Sequence, residues 1–290
     1  MFKSVEELIL ICERDQKAIA DIMIEQEMEV SGLSREAVMA KMEQNLVVME
    51  RAVEKGLNGV SSPTGLTGMD AVKIRKYIES GKSLSGDLVL NAVSKAVATN
   101  EVNAAMGLIC ATPTAGSAGV VPGVLFGIKD KLNPSREDMV RFLFTTGAFG
   151  FVVANNASIS GAAGGCQAEV GSAAAMAAAA VVEMAGGSPR MSANAFSICL
   201  KNMLGLVCDP VAGLVEVPCV KRNAAGASNA IISADMALAG VESRIPTDEV
   251  IEAMYKIGQT MPSALRETGR GGLAGTKTGQ EMKARIFGTK

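Results

Sequence analysis

The stretch from Ser172 to Val182, Ser-Ala-Ala-Ala-Met-Ala-Ala-Ala-Ala-Val-Val, limits what this chain can fold into more than any other. Alanine is the strongest helix former, and small residues at successive turns let neighbouring helices come close. The stretch therefore reads as a buried central helix with other helices packed tightly around it. Composition agrees: hydrophobic residues make up 48% of the chain, aromatics only 3%, and there is no Trp. A core of Ala, Gly, Met, Val and Leu favours packed helices over a β-sandwich, which draws on β-branched and aromatic residues. No apolar-polar alternation is long enough for a strand, no strand precedes a GxGxxG, and no repeat of roughly 20 to 50 residues is present. The expected fold is all-α, one compact helical domain over residues 1–290 with glycine-rich loops converging on a site.

Residues 4–30 carry Val5, Leu8, Ile9, Cys12, Ile19, Ile22 and Met23 among charges, the rhythm of an amphipathic helix. Ser34 caps a second helix running to about Lys55, and the two read as a hairpin closing the end of the domain or meeting a partner. Further helical patterns cover about 70–80, 85–110 (ending at Cys110), Ser135 as cap through Asn156, 190–204, 219–240, and a last helix with Thr247 as N-cap. Two intervening stretches, GLNGVSSPTGLTGM (56–69) and ATPTAGSAGVVPG (111–123), are too rich in Gly, Pro and hydroxyls for helix interiors. Such loops present amides and hydroxyls to anions, and Thr112, Thr114 and Ser117 have the groups to bind a carboxylate. They read equally as stiff connectors. The glycine-rich, basic tail over about 266–290 either wraps over a site or is loose.

Three of the six cysteines fall between residues 166 and 219. Cys166 stands where GAAGG gives way to the helix-forming QAEVGSAAAM, and Cys219 follows Pro218 at the head of another helical pattern. Both are expected at helix N-termini, where the dipole and free amides lower a thiol pKa. Cys208 precedes Asp209-Pro210, which places its sulfur on a loop. The three are too far apart in sequence to share a helical turn, so a common metal requires the fold to bring three segments together. A free cysteine is also a small buried hydrophobe, and the spacing leaves both readings open. Cys12 and Cys199, on apolar helix faces, read as core residues; Cys110 borders the TPTAGSAG loop and reads as packing too.

The segments GAAGGCQAEVGSA, LGLVCDPVAGLVEVPCVKRNA and ETGRGGLAG, with SSPTGLTG and TPTAGSAGVVPG upstream, resemble the catalytic subunit of the iron-sulfur L-serine dehydratases (L-serine ammonia-lyases). The resemblance runs over nearly the whole chain. It implies that Cys166, Cys208 and Cys219 hold a 4Fe-4S cluster with one iron left open, without pyridoxal phosphate. It raises Ser62 and Thr64, with Thr112, Thr114 and Ser117, to substrate-binding candidates. In that family, single-chain members carry an extra domain, and some end in a tail cysteine that caps the open iron. This chain has no cysteine after Cys219 and no such domain, which implies a two-chain form with a separate, regulatory-type beta subunit.

Three ligands suit the chemistry implied. Elimination from L-serine to pyruvate and ammonia must help a poor hydroxide leaving group, and an open iron acts on that hydroxyl as a Lewis acid; four thiolates would saturate the cluster. The chain has no histidine, which removes the commonest general base. A carboxylate, a desolvated lysine, an alkoxide or a group from another chain must serve, and the sequence does not say which. Arg222, just past Cys219, has the planar fork to clamp a substrate carboxylate; with Lys221 it alternatively balances a negative cluster.

A pyridoxal-phosphate dehydratase would need an α/β phosphate cradle that the helical pattern does not offer. A non-enzymatic iron-sulfur scaffold or sensor would bind a cluster and release no pyruvate. The 28 basic and 30 acidic residues nearly balance, with no basic stripe interleaved with aromatics, which excludes nucleic acid as an expected partner. The N-terminus is unlike a secretory signal, and the longest apolar runs fall short of the roughly 20 residues of a membrane span. A cytoplasmic protein is expected, an oligomer by the two-chain form that the resemblance implies, with cysteines as ligands or core residues rather than disulfides.

Overall fold

The computed structural model describes residues 1–288. Its α-helices are α1 (Val5–Asp15), α2 (Ile19–Ser31), α3 (Arg35–Asn58), α4 (Asp70–Glu79), α5 (Asp87–Ala104), α6 (Val120–Leu132), α7 (Arg136–Asn156), α8 (Gly161–Gly164), α9 (Ser172–Met184), α10 (Pro189–Lys201), α11 (Cys219–Leu238), α12 (Thr247–Thr260) and α13 (Lys277–Phe287). Among the described residues there is no strand, only two isolated bridges, so the fold is all-α. Among the described residues no helix is long and apolar enough to cross a membrane.

Helix α9 is the axis, and every residue from Ser172 to Val182 is buried. Helices α6, α7, α10 and α11 pack directly on it. Small residues also set the next layer. Gly123 and Gly127, one turn apart on α6, face Ala96 and Ala92 of α5. A Cβ at either glycine would come within 2.6 and 2.5 Å of the opposing alanine Cβ. The two backbones therefore approach to a distance that only glycine permits. A single buried cluster runs from Phe2 and Val5 through the central helices to Met254.

The expected helix over 4–30 is two helices. Gln16 takes a left-handed conformation, φ 54°, and ends α1. No local side chain caps α2. Instead Ile19 and Ala20 donate their backbone N–H groups to Glu183 on α9, at 2.7 and 3.1 Å. The same device recurs at α4, where Asp70 N–H donates to the buried Glu101 at 2.7 Å. At α1, Asp248 accepts from Val5 and Glu6. Free N–H groups at a helix start need acceptors, and here carboxylates distant in sequence supply them while holding helices together.

Other boundaries also differ. Helix α5 stops at Ala104, well before Cys110, because the chain reverses at Met106 with φ 60°. Val120 to Gly123, expected in a loop, open α6, with Pro122 in the first turn where no N–H is needed. Thr247 is the first residue of α12 rather than its cap; Pro246 holds that place. Thr247 Oγ1 instead donates to Ala193 O and accepts from Ser197 Oγ. Within the tail, Lys277–Phe287 form α13, which Thr276 caps through Gly279 N–H. Residues 289 and 290 of that tail lie outside the described residues.

Candidate active site

The segments that carry the three expected cysteines come together. Cys166 follows Gly165, whose φ of 78° turns the chain out of α8, and leads into a π-helical turn, Gln167–Gly171, continuous with α9. Such turns gather at functional sites. Cys219 is the first residue of α11, and Cys208 lies on the loop between α10 and α11. Direct bonds join the three segments: Gln167 N–H, next to Cys166, donates to Leu206 O at 3.0 Å, and Arg222, on the first turn of α11 after Cys219, donates to Val207 O at 2.8 Å, just before Cys208. Cys12 and Cys199 are buried in the apolar core. Cys110 is half-buried and points its thiol to Asn45 of α3 at 3.6 Å. Cys166 and Cys208 border the same apolar core; what sets them apart is that their segments are bonded to each other and to α11, which begins at Cys219.

The expected low thiol pKa values are not found. Burial is the largest influence on each and pushes Cys166 up to about 11 and Cys219 up to about 12, and Cys208 also upward. Arg222, the nearby cation, opposes this at Cys166 and Cys219 without reversing it. Desolvation of a charged sulfur outweighs the helix N-terminus here. Thiols in this condition stay protonated until a metal takes the proton's place.

The cysteine segments are fixed by residues that pattern reasoning did not single out. Gln167 is fully buried, and its amide joins three elements. Nε2 donates to Gly164 O and Met254 O, both at 2.9 Å, and Oε1 accepts from Gly205 N–H at 2.9 Å. The segment carrying Cys166 is thereby tied to α12 and to the approach to Cys208. Tail residues hold Cys208 itself. Its N–H donates to Leu265 O at 2.8 Å, and its carbonyl accepts from Glu267 N–H at 2.7 Å. Asp209, next in the chain, accepts from Leu273 N–H at 2.7 Å.

The two hydroxyl-rich loops dock on carboxylates beside the cysteines. Thr64 Oγ1 donates to Glu216 at 2.8 Å, Thr67 Oγ1 joins it at 3.0 Å, and Ser62 Oγ lies 3.1 Å from Thr64 Oγ1. Glu216 is buried and stands one helical turn before Cys219. In the second loop Thr114 Oγ1 donates to Glu169 at 2.8 Å. Ser117 Oγ, fully buried, donates to Thr112 O and holds the loop's shape. Thr112 Oγ1 is buried with no partner among the described residues. It lines a cavity of about 450 Å³ together with Met42, Met49, Cys110 and Met176.

Arg222 is engaged within the site. It donates to Val207 O at 2.8 Å and pairs with the buried Asp209 carboxylate at 2.8 Å. Lys221 turns away to Asp70 at the start of α4. Glu169 is the acidic group that sequence reading missed. It is buried, and one of its oxygens lies within 4.8 Å of Cys208 Sγ and of a Glu267 oxygen. Burial above all, and the Glu267 charge after it, raise its pKa against the opposing bond from Thr114. Its place one turn beyond Cys166 was the available signal.

Three soft thiols on three converging segments, Cys166 and Cys208 buried and Cys219 partly exposed, make a donor set that fits an iron-sulfur cluster. The space beside them is kept by Gly161: a Cβ there would lie 2.9 Å from Cys208 Sγ and 2.5 Å from Glu169 Oε2.

Residues 14–274 match the family described as serine dehydratase alpha chain. The chain is 74% identical over 288 residues to the probable L-serine dehydratase, alpha chain, of Bacillus subtilis (strain 168), covering 99% of this chain and 96% of that one. It is 46% identical over 285 residues to the L-serine dehydratase, alpha chain, of Peptoniphilus asaccharolyticus, covering 98% and 97%. Against L-serine dehydratase TdcG of Escherichia coli (strain K12) identity is 38% over 282 residues, covering 94% of this chain and 61% of that protein. The match takes in the cysteine segments, both docked loops and the tail that holds Cys208, and the chain belongs to the serine dehydratase alpha chain family.

Proposed function

We propose that this chain is the catalytic alpha subunit of a cytoplasmic iron-sulfur L-serine dehydratase (L-serine ammonia-lyase), forming pyruvate and ammonia. The observation that carries the reading is the convergence of the three segments that bear Cys166, Cys208 and Cys219, in a chain of this family. These three would hold a 4Fe-4S cluster, which when bound supplies an open iron as Lewis acid for the substrate hydroxyl. No pyridoxal phosphate is involved.

The chain's own residues orient the substrate and shape its surroundings. Ser62 and Thr64, fixed on Glu216, and Thr114, fixed on Glu169, present hydroxyls from the two loops toward the amino acid. Thr112, with its unpartnered hydroxyl, and Ser117 belong to the same loop and set its form. Arg222, whose Nη1 already meets both Val207 O and Asp209, has Nε and Nη2 N–H groups left for the substrate carboxylate. The tail closes over Cys208 and limits water at the reacting centre.

A separate beta subunit completes the enzyme in an oligomer. The reading is supported by relatives whose names carry "alpha chain" and by the absence of histidine. Neither nucleic acid nor membrane is part of it. The test is anaerobic cluster reconstitution with the beta chain, then pyruvate release from L-serine without added pyridoxal phosphate. Full activity in an air-oxidised, iron-free preparation would overturn the proposal.

A further inference from the structure

Two carboxylates stand at the thiol site with no cation to meet them. Oxygens of Glu169 and Glu267 lie within 4.8 Å of each other and of Cys208 Sγ. Glu169 is buried, whereas Glu267 is solvent-accessible on the tail. Thr114 and Cys208 contact Glu169, and neither partner brings positive charge. Among the described residues no Lys or Arg forms an ion pair with either carboxylate. Arg222 is spent on Asp209 and Lys221 on Asp70.

Glu267 is held in place by the chain around it. Its N–H is bonded to Cys208 O, and its φ is 60°, a conformation that non-glycine residues adopt rarely. A cluster held by three thiolates would not relieve the excess negative charge, since such a cluster is itself anionic. The missing positive charge must arrive with the ligand. L-serine carries one cation, its α-ammonium.

We propose that Glu267, together with Glu169, receives the α-ammonium of the substrate beside Cys208. This rests on the L-serine dehydratase reading and adds a direction to it. The acidic pair repels the substrate carboxylate, which must face away from it, toward Arg222. It also makes the ammonium a condition of binding, so the site discriminates amino acids from hydroxy acids of the same shape. The space between Glu169 and Cys208 that Gly161 leaves bare is where the group would approach.

The test is Glu267→Gln in the reconstituted two-chain enzyme, read in three ways. The KM for L-serine should rise about tenfold or more while kcat stays within about threefold, the mark of lost substrate binding. Calorimetric affinity for L-glycerate, which has a hydroxyl in place of the ammonium, should be unchanged or tighter. Iron and sulfide per chain should stay at the parent level, and Glu267→Asp should recover most of the serine affinity. An unchanged serine KM overturns the inference. So does parallel weakening of serine and glycerate, which would mark a defect of shape, or loss of iron, which would make Glu267 a cluster ligand. A parent enzyme that loads its cluster and releases no pyruvate would instead fail the functional reading, and this inference would fall with it.

Discussion

Replacing Gln167 by methionine tests how the site is held. Methionine has nearly the same length and no hydrogen-bonding amide, so the substitution removes bonds with little change of volume. Three backbone groups lose a partner: Gly205 N–H, Gly164 O and Met254 O. Met254 lies within α12 and keeps its helical donor, whereas the other two belong to the short segments flanking Cys166 and Cys208. Gly205 is exposed and its N–H turns to water, whereas the buried Gly164 carbonyl left unpaired costs about 1–3 kcal/mol. That is a large fraction of a stability that is typically about 5–15 kcal/mol. The measurement is the urea midpoint of the reconstituted and the metal-free chain at constant slope. Iron per chain should fall as well, since the tie between the Cys166 and Cys208 segments is cut. A loss below about 1 kcal/mol with iron retained would refute the view that this amide organises the site.

Replacing Cys166, Cys208 or Cys219 by serine should abolish both bound iron and pyruvate formation, because an alkoxide is a poor ligand for iron. Cys12→Ser, Cys110→Ser and Cys199→Ser should keep iron and turnover per folded molecule, at a stability cost of roughly 1–3 kcal/mol where the hydroxyl is unpaired. Gly123→Ala, whose methyl would meet Ala96 of α5, should destabilise by about 1–3 kcal/mol in thermal or urea unfolding. Asp21 accepts from Arg141 and Arg35, and these bonds lower its pKa from 3.8 to about 2. Its contribution is present above pH 3.8 and is lost as pH falls through 2, so Asp21→Asn should lower stability at neutral pH and converge with the parent below that range in acid unfolding.

Where the sequence was legible, a local rule governed. The small residues of 172–182 had to be a buried helix because nothing else closes around so little side chain. Ser34 and Ser135 capped the helices they preceded, since cap and first turn are neighbours in the chain. The loop position of Cys208 followed from Asp209-Pro210. What stayed hidden depended on partners far away. The break between α1 and α2 is held by Glu183, and nothing near residue 18 announces it. Glu216 and Glu169 looked like ordinary charges until the fold carried the two threonine loops onto them. Helix starts suggested acidic thiols, yet burial, a property of the whole assembly of helices, decided the sign.

The parallel bridge that joins Cys208 to the tail makes two events one equilibrium. Ordering the 263–276 segment and setting the Cys208 sulfur in position share the same backbone bonds, so neither is gained or lost alone. Whatever binds at the sulfur therefore also tightens the C-terminal segment, by the logarithm of its concentration over its dissociation constant. The tail is in effect a reporter: its resistance to protease should rise with metal loading, and tail clipping should release metal from a centre that the cut itself never touches.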